Sequence, residues 1–349
     1  MNVPRIVAVG TTNPPETYSQ QDLVDLFKAE EPRLVQFFTN SHIKTRHLVL
    51  PKPDTEGNLP DEDGEALLAK HRHWSVKLGA EAVATCMASK GLTAQDVDFL
   101  VTVTTTGMLC PSLSSLVSAT LDMRRNVQRI DLVGMGCNGG MNGLFTVARF
   151  AKANPGANVV LLSAEICSAG YVFDMTMRTA VVNSLFGDAV AAVLVRADAS
   201  DGAHDGPQLL DFESYLVSEV SQEMRYDFED GRWTFYLGRD IPYAIGATIE
   251  KPVNALLERH ALKRRDISHW IVHSGGKKVV DSIKYNLGIT DHDVRHTRTI
   301  LRNFGNISSA AFLFAYQELM REGVTRPGDY GVSIAMGPGV SLETGLLQW

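Results

Sequence analysis

The chain has 349 residues, of which 44% are hydrophobic and 21% are charged, as is typical of a globular protein with a sizeable core. Lys and Arg total 33 against 40 Asp and Glu, and this net charge of -7 disfavours partners such as nucleic acid or an anionic membrane surface. No apolar run approaches the roughly 20 residues of a membrane span, and the N-terminus lacks the apolar core of a signal peptide. We therefore expect a cytoplasmic protein.

Cysteine and histidine spacing gives no signature of a metal site or a disulfide framework. His71 and His73 form an HxH pair, but no second pair of Cys or His has finger-like spacing. A cytoplasmic chain of this length does not need disulfides to fold, and its cysteines form no CxxC pair. We expect no metal and no disulfide. The four cysteines are Cys86, Cys110, Cys137 and Cys167.

In chain order, the predicted elements occur twice. Residues 80–106 begin with an amphipathic helical pattern, continue through an Asp-Val pair and end in the strand-like run Phe99 to Val103. Residues 250–276 have the same order and end in the strand-like run Trp270 to His273. The two copies are separated by roughly half of the chain, which predicts an internal duplication.

The similarity continues downstream with a slip of one residue. GCNGG at 136–140 and GNISS at 305–309 each precede a helical pattern, and a β-rich run follows each helix. Alternating strands and helices predict an α/β protein with parallel or mixed sheets. We expect two halves, residues 1–201 and 208–349, that are related by a pseudo-twofold axis and bury a helix pair between them. The predicted linker is GAHDGP at 202–207.

The duplication brings three residues into candidate functional positions. Cys137 and Asn306 are equivalent, and each follows a glycine at a predicted strand-to-helix turn. Backbone N–H groups at a helix N-terminus carry partial positive charge, so we expect a lowered pKa for the Cys137 thiol. His273 ends a predicted strand and is followed by Ser-Gly-Gly, where glycines let a ligand approach the backbone. Taken singly, Cys137 could be a buried apolar residue and Asn306 a helix cap.

Cys, His and Asn together support two chemistries. One is amide hydrolysis, in which Asn orients the His, and the chain order agrees with papain-like cysteine hydrolases. The other is Claisen condensation, in which Cys carries an acyl group while His and Asn donate hydrogen bonds to a thioester oxygen as a carbanion forms. The papain-type signature around the cysteine is absent, and duplicated α/β halves do not suit that fold. The glycine-rich surroundings and the duplication favour condensation.

Seven motifs carry a resemblance to a known family. They are AVGTTNP (8–14), TTTGMLCP (104–111), GC (136–137), SLFGD (184–188), HSGG (273–276), GNISS (305–309) and MGPG (336–339). Together they resemble the type III polyketide synthases, the chalcone synthase-like branch of the thiolase superfamily, over nearly the whole chain. The resemblance implies a thiolase-like, duplicated five-layer αβαβα fold in the α/β class.

Within this family the chain is similar to a bacterial branch that uses malonyl-CoA as both starter and extender and forms 3,5-dihydroxyphenylacetyl-CoA. The stretches that carry this similarity are DMTMRTAVVNSLFGD (174–188), RWTFYLGRD (232–240), HSGGKK (273–278), DVRHT (293–297), TRPGDYG (325–331) and QW (348–349).

The resemblance implies catalytic roles for the three candidate residues. Cys137 would be the acyl-accepting nucleophile, a thiolate beside an imidazolium from His273. His273 and Asn306 would stabilise the enolate that forms when malonyl-CoA loses carbon dioxide.

The resemblance also implies a substrate cavity and a dimer. Phe186 and Phe235 match the paired aromatic residues that gate the passage between a CoA tunnel and the cavity. Cys110 matches a residue that reaches into the cavity of the partner subunit, so we expect a homodimer. Tyr226 stands where chalcone synthases have glycine, which predicts a reduced cavity and disfavours a bulky aromatic starter. Positions that shape the cavity are matched by Thr105, Cys110, Gly170, Tyr226 and Ser308.

The expected CoA site departs from the family pattern. Of three basic residues that commonly hold the CoA phosphates, one is retained as Arg33, whereas Gln36 and Asn40 stand at the other positions. A basic pair beside the candidate catalytic histidine is the expected compensation, and the alternative is an ordinary solvated charge pair. The remaining expected CoA-binding residues are Gly276, Lys277 and Lys278.

We therefore expect an acyltransferase of antibiotic biosynthesis or other secondary metabolism that condenses malonyl-CoA units and cyclises the chain to 3,5-dihydroxyphenylacetyl-CoA. It would need no cofactor, since CoA thioesters are its substrates, and hydratase- or thioesterase-type enzymes would accompany it. The first alternative is another type III synthase that makes a pyrone or a phloroglucinol- or resorcinol-type product from a different starter. A non-catalytic thiolase-fold subunit, which Cys137 argues against, and a cysteine hydrolase are the others.

Overall fold

The computed structural model describes residues 2–174, 176–197 and 206–349. The strands are β1 (Arg5–Thr12), β2 (Thr17–Ser19), β3 (Thr45–His47), β4 (Phe99–Thr104), β5 (Gln128–Val133), β6 (Val159–Glu165), β7 (Ala189–Arg196), β8 (Gln208–Leu216), β9 (Met224–Glu229), β10 (Arg232–Leu237), β11 (Ile267–Val272), β12 (Tyr330–Gly337) and β13 (Ser341–Gln348). The helices are α1 (Gln20–Leu26), α2 (Pro32–Thr39), α3 (Gly64–Ala88), α4 (Leu113–Thr120), α5 (Gly139–Ala153), α6 (Met177–Leu185), α7 (Ile241–Thr248), α8 (Glu250–Glu258), α9 (Lys277–Leu287), α10 (Arg295–Phe304) and α11 (Ala311–Glu322).

Nine strands form one hydrogen-bonded sheet with two similar arms, in the order β11-β12-β13-β8-β1-β7-β6-β4-β5. In the first arm β4 and β6 are parallel, and β7 and then β1 add antiparallel. The second arm repeats these directions with β11, β12, β13 and β8. The arms join where Arg5 of β1 pairs with Gln208 of β8. This repeated order confirms the predicted duplication.

The matching segments of the two halves also end in the same local structure. After α3 the chain makes a short 3₁₀ turn and enters β4, and after α8 it makes an equivalent turn and enters β11. Each turn is closed by an aspartate that accepts a backbone hydrogen bond, Asp96 from the N–H of Thr93 at 2.7 Å and Asp266 from the N–H of Lys263 at 2.8 Å. The Asp-Val and Asp-Ile pairs in the sequence therefore mark equivalent turns.

The helices α5 and α11 lie between the two arms and form the middle of five layers. On one side, Gly143 of α5 packs against Leu161 of β6; on the other, Met141 reaches Gly345 of β13. Outside the arms, α3 covers β1, β6 and β7, while α8 covers β8 and β13. This arrangement is the αβαβα fold that the sequence predicts.

The expected position of Asn306 at the end of a strand is wrong. The chain before Asn306 forms helix α10, which ends at Phe304. In the described part of the chain, the second arm has no counterpart of β5, and α10 precedes the turn instead. The physical reason is the spacing of the buried residues, which recur every four positions (His296 and Ile300, Thr297 and Leu301) and so suit a helix rather than a strand.

The predicted division into residues 1–201 and 208–349 stays a prediction. Of the predicted linker, residues 202–205 lie outside the described residues, and the carbonyl of Pro207 accepts a hydrogen bond from the N–H of Ile6 at 3.1 Å. No helix among the described residues is long and apolar enough to cross a membrane. Within the same residues, no group of three or more His, Cys, Asp or Glu side chains is arranged to hold a metal ion.

Candidate active site

Cys137 lies in a tight turn at the start of α5. The chain leaves β5, passes Gly134 and Gly136 with positive φ, and makes a 3₁₀ turn over Gly136–Asn138. A side chain at Gly136 would overlap the ring of Pro338, so this position requires glycine for both its conformation and its space. The turn leaves the thiol of Cys137 only 7% exposed.

Asn306 is fixed by hydrogen bonds to the end of α6. Its N–H donates to the carbonyl of Leu185 at 2.9 Å, and its carbonyl accepts from the N–H of Gly187 at 3.0 Å. The side-chain oxygen Oδ1 accepts from the N–H of Ser308 at 2.9 Å, which leaves the amide group to donate. The side chains of Asn306 and Ser308 both lie near the Cys137 thiol and act to lower its pKa. The structure therefore brings the equivalent residues of the two halves into contact.

His273 follows β11 and is 2% exposed. Its N–H donates to the carbonyl of Ile334 at 2.8 Å, which continues the parallel pairing with β12. Its Nδ1 is buried and has no hydrogen-bond partner among the described residues. The next residue, Ser274, donates from Oγ to the carbonyl of Gly305 at 3.2 Å. The loop that carries His273 is thus tied to the loop that carries Asn306.

Burial controls the protonation of the Cys137 thiol and the His273 imidazole. It raises the pKa of the Cys137 thiol to about 12, against the hydrogen bonds from Ser308 and Asn306 that stabilise the thiolate. Burial also lowers the pKa of His273 to about 3. Burial therefore acts against the low thiol pKa that the turn predicts, because the partial charge of a helix N-terminus does not offset the loss of water around sulfur. These shifts favour a neutral thiol and a neutral imidazole, and the thiolate–imidazolium pair stays a prediction.

Glu165, at the end of β6, is a charged residue of the site that the sequence analysis missed. Its fully buried carboxylate accepts from the N–H and Oγ1 of Thr105 at 3.0 Å and from Oγ of Ser309 at 2.5 Å. Burial raises the pKa of Glu165, and its charge is among the causes that raise the pKa of Cys137. The available signal was a single carboxylate at the end of the apolar strand VVLLSAE.

A cavity of about 830 Å³ opens beside Cys137. Phe186 and Phe235 meet edge to face in its wall with centroids 5.4 Å apart, and Tyr226 packs on Phe235 at 5.0 Å. A side chain at Gly170 would meet open space. Cys110 is exposed and lies outside the described lining of this cavity. The expected residues that do line it are Thr105, Cys137, Gly170, Tyr226, Phe186, Phe235 and Ser308.

The expected CoA-binding residues lie on two helices at the surface. Arg33 is exposed on α2, and Lys277 and Lys278 are exposed at the start of α9, directly after the buried Gly276. Burial and then the charges of Arg298, Lys277 and Arg302 lower the pKa of His42. Lys277 therefore belongs to a charged cluster, mostly basic, with His42, Arg298, Arg302 and the carboxylate of Asp281, defined here as the His42 cluster. His42 and Arg302 were not predicted from the sequence, because neither belongs to a basic run.

Two family models match this chain: "Chalcone and stilbene synthases, N-terminal domain" over residues 3–199, and the corresponding C-terminal domain over residues 214–349. The chain belongs to the chalcone and stilbene synthase family and is an enzyme, a type III polyketide synthase. It is 47% identical over 351 residues to the 3,5-dihydroxyphenylacetyl-CoA synthase of Streptomyces toyocaensis, with 99% of this chain and 90% of the relative covered. The enzyme of the same name from Amycolatopsis balhimycina is 46% identical over 349 residues, which cover 99% and 93%.

Solved structures agree with the fold. The polyketide synthase PKS-I of the brown alga Ectocarpus siliculosus superposes with a TM-score of 0.93 at 23% identity, over 99% of this chain and 98% of that one. The 1,3,6,8-tetrahydroxynaphthalene synthase of Streptomyces coelicolor, a bacterial type III polyketide synthase, superposes with a TM-score of 0.90 at 25% identity, over 99% of both chains.

The neutral resting thiol predicts how Cys137 responds to pH. Because the thiolate is the reactive species, the rate of iodoacetamide modification at Cys137 should rise about tenfold per pH unit between roughly pH 7 and pH 9. Peptide mapping by mass spectrometry measures this rate, with the exposed Cys110 followed in the same digest as a reference. A rate at Cys137 that is already on a plateau at pH 7 would contradict the neutral pair and support the ion pair that the sequence predicts.

Proposed function

We propose that the protein is a 3,5-dihydroxyphenylacetyl-CoA synthase that uses malonyl-CoA as both starter and extender. The observation that carries this proposal is a thiol, Cys137, in the wall of an apolar, aromatic-lined cavity, with the Asn306 side chain near enough to act on its pKa. The relatives named above support the product. Accessory hydratase- or thioesterase-type enzymes would complete the pathway, and we place the protein in the cytoplasm.

The acyl-transfer step follows from the neutral resting groups. Cys137 attacks the thioester carbonyl of malonyl-CoA, and the bond between that carbonyl and the CoA sulfur breaks. The thiol must lose its proton as the new carbon–sulfur bond forms, and the neutral imidazole of His273 is the base that we assign to this role. The proton then leaves with the CoA thiolate, so the imidazole returns to its neutral form.

The condensation step uses the same polar groups a second time. A malonyl unit loses carbon dioxide, and negative charge develops on its thioester oxygen. The amide of Asn306 donates a hydrogen bond to that oxygen, and so does the nitrogen of His273 that accepted the thiol proton, in the other tautomer of the neutral ring. Each such donor contributes about 3 kcal/mol to transition-state stabilisation in comparable sites. The resulting enolate carbon attacks the acyl carbonyl on Cys137, and the bond between that carbonyl and the Cys137 sulfur breaks, which releases the thiolate. The chain is then two carbons longer and bound to CoA, and it returns to Cys137 by a further acyl transfer that releases CoA.

The CoA portion needs a cationic surface near the cavity. We propose that Arg33, together with Lys277 and Lys278 at the start of α9, attracts the CoA phosphates. Two features support this. The N-terminus of α9 carries partial positive charge directly after Gly276, and Lys277 lies within the His42 cluster.

We also propose a homodimer in which β5 of each subunit meets the partner. β5 pairs with β4 along one edge, and Ile130 and Val133 leave 41% and 45% of their surface exposed on it. Apolar side chains on a free sheet edge favour association with another chain. Val133 and the 63% exposed Met108 also line the cavity, so a partner here would cover its open side. Cys110 is exposed and lies close to Met108 in the sequence, and it would then face the cavity of the partner.

A charge on β5 tests the dimer. Ile130→Asp should convert the protein from dimer to monomer in light scattering after gel filtration, because an interface cannot bury an unpaired carboxylate without a large desolvation penalty. The matched control is Tyr285→Asp, which places the same charge at an 85% exposed position on α9 and should leave the dimer intact. A monomeric unsubstituted protein, or a dimeric Ile130→Asp variant, would contradict the proposed interface.

Removal of the thiol tests the proposed function. Cys137→Ala should abolish polyketide formation, because no acyl group can be held, while decarboxylation of malonyl-CoA to acetyl-CoA continues with His273 and Asn306 intact. Liquid chromatography with mass spectrometry separates the two products. Cys86→Ala, at a buried position on α3, is the matched control and should retain both activities. Substantial polyketide formation by Cys137→Ala would overturn the assignment.

Starter selection tests the role of Tyr226. Malonyl-CoA alone should yield 3,5-dihydroxyphenylacetyl-CoA or its free acid, whereas coumaroyl-CoA should be a poor starter. A bulky starter must displace Tyr226, and overpacking costs about 1 to 3 kcal/mol, roughly a five- to 150-fold preference. Tyr226→Gly should improve coumaroyl-CoA use, measured as product ratios by mass spectrometry. Tyr236→Gly changes the same hairpin away from the described cavity lining and should not improve it.

A different pattern of products would identify an alternative. If malonyl-CoA alone gives no aromatic product and an aryl or long-chain starter gives abundant product, the chain is a type III synthase of another specificity. That result would contradict the proposed product and leave the family assignment unchanged.

A further inference from the structure

Arg46 is fully buried, and among the described residues its hydrogen bonds all go to uncharged acceptors. Its Nη1 donates to the hydroxyl of Tyr171 at 2.8 Å and to the carbonyls of Asn183 and Phe186 at 2.6 and 2.7 Å. Its Nη2 donates to Oε1 of Gln20 at 2.7 Å. Burial lowers the pKa of Arg46. A buried charge that is held in this way requires all of its acceptors to stay in place.

Two of these acceptors belong to the C-terminal end of α6. The last carbonyls of a helix have no partners within the helix, and a cation near them is favourable. Arg46 binds the carbonyl of Asn183 in the last turn and that of Phe186 directly after it, and Tyr171 also donates its hydroxyl to Phe186. The side chains of Arg46 and Tyr171 therefore both hydrogen-bond to the backbone carbonyl of Phe186. The ring of Phe186 lies in the cavity wall against Phe235.

The same arginine supports the loop of Asn306. Gly305 has a φ of 74°, and a Cβ added there would lie 2.8 Å from Cδ of Arg46, so the arginine stem packs directly beneath this glycine. Asn306 and Phe186 form a backbone bridge, flanked by the hydrogen bonds that Asn306 makes with Leu185 and Gly187. A displacement of the Arg46 guanidinium would therefore move the cavity aromatic Phe186 and the hydrogen-bond donor Asn306 together.

We propose that Arg46 is a positioning residue that sets the placement of Phe186 and Asn306 relative to each other. It acts through their backbones and does not touch substrate. This inference rests on the proposed function for the roles of Phe186 and Asn306, but it makes a separate statement about access to Cys137. The fork of a guanidinium reaches Gln20 on one side and α6 on the other, which the single ammonium of lysine cannot do with the same geometry.

The first test measures access to Cys137 and does not depend on turnover. Purified wild-type protein and Arg46→Lys are treated with iodoacetamide, which is small, and with N-phenylmaleimide, which is bulky. Modification of Cys137 is followed by peptide mapping. If Arg46 holds Phe186 in the wall, Arg46→Lys should raise the ratio of the bulky to the small reagent rate by about two- to tenfold, the range that one lost hydrogen bond gives.

The second test separates positioning from loss of folded protein. Arg46→Lys should lower kcat for malonyl-CoA decarboxylation by about ten- to hundredfold, as expected for a donor displaced by about 1 Å, and should also raise KM. Tyr171→Phe should raise KM by about two- to tenfold. The double variant should raise KM by less than the product of the two single effects, because both side chains hydrogen-bond to the carbonyl of Phe186. Melting curves by circular dichroism report the folded fraction of each variant.

Matched controls exist for both substitutions. Arg264 donates to the carbonyls of Asn286 and Leu287 at the far end of α9, so Arg264→Lys removes a similar helix-end contact away from the cavity. Tyr316 is a second buried tyrosine, on α11, and Tyr316→Phe should leave KM unchanged.

An unchanged reagent ratio, or a kcat that falls only in proportion to the folded fraction with KM constant, would overturn the proposal. If wild-type protein does not decarboxylate malonyl-CoA, the proposed function fails while the reagent ratio still decides the role of Arg46.

Discussion

The close approach between the start of α5 and the turn that precedes α11, at the centre of the molecule, is the constraint on which the site depends. A Cβ at Gly140 would collide with the carbonyl of Ser309, so the two helix starts meet with backbone against backbone. Because each start is preceded by a tight glycine-containing turn, this approach brings Cys137 and Asn306 near each other across the two halves. Side chains at the glycine positions would force the halves apart and separate these groups.

The same packing removes water from the site and thereby sets its electrostatics. A thiol and an imidazole that lose their hydration both favour the uncharged form, and the pKa values of Cys137 and His273 move in opposite directions for this one reason. The buried carboxyl of Glu165 also has a raised pKa, so a third group shares the same environment. Charge then develops during the reaction, where oriented donors in a buried site stabilise it most.

Much of the fold could be predicted from the sequence because it is duplicated, and matched turns such as those at Asp96 and Asp266 mark equivalent positions in the two halves. The helix before Asn306 was not predicted, because the duplication suggested a strand where the residues have a helical spacing. Local patterns also carry no information about burial, which acts against the low thiol pKa that the turn predicts. Arg46 and Glu165 were missed because their partners lie far away along the chain.

The central claim is that Cys137 carries the growing chain, and trapping the acyl enzyme tests it most directly. Wild-type protein is mixed briefly with malonyl-CoA, quenched in acid and digested, and the cysteine peptides are analysed by mass spectrometry before and after treatment with hydroxylamine, which cleaves thioesters. The account predicts a hydroxylamine-sensitive acyl adduct on the Cys137 peptide and none on the peptide of the exposed Cys110. Product formation without any adduct on Cys137, or an adduct confined to another cysteine, would contradict it.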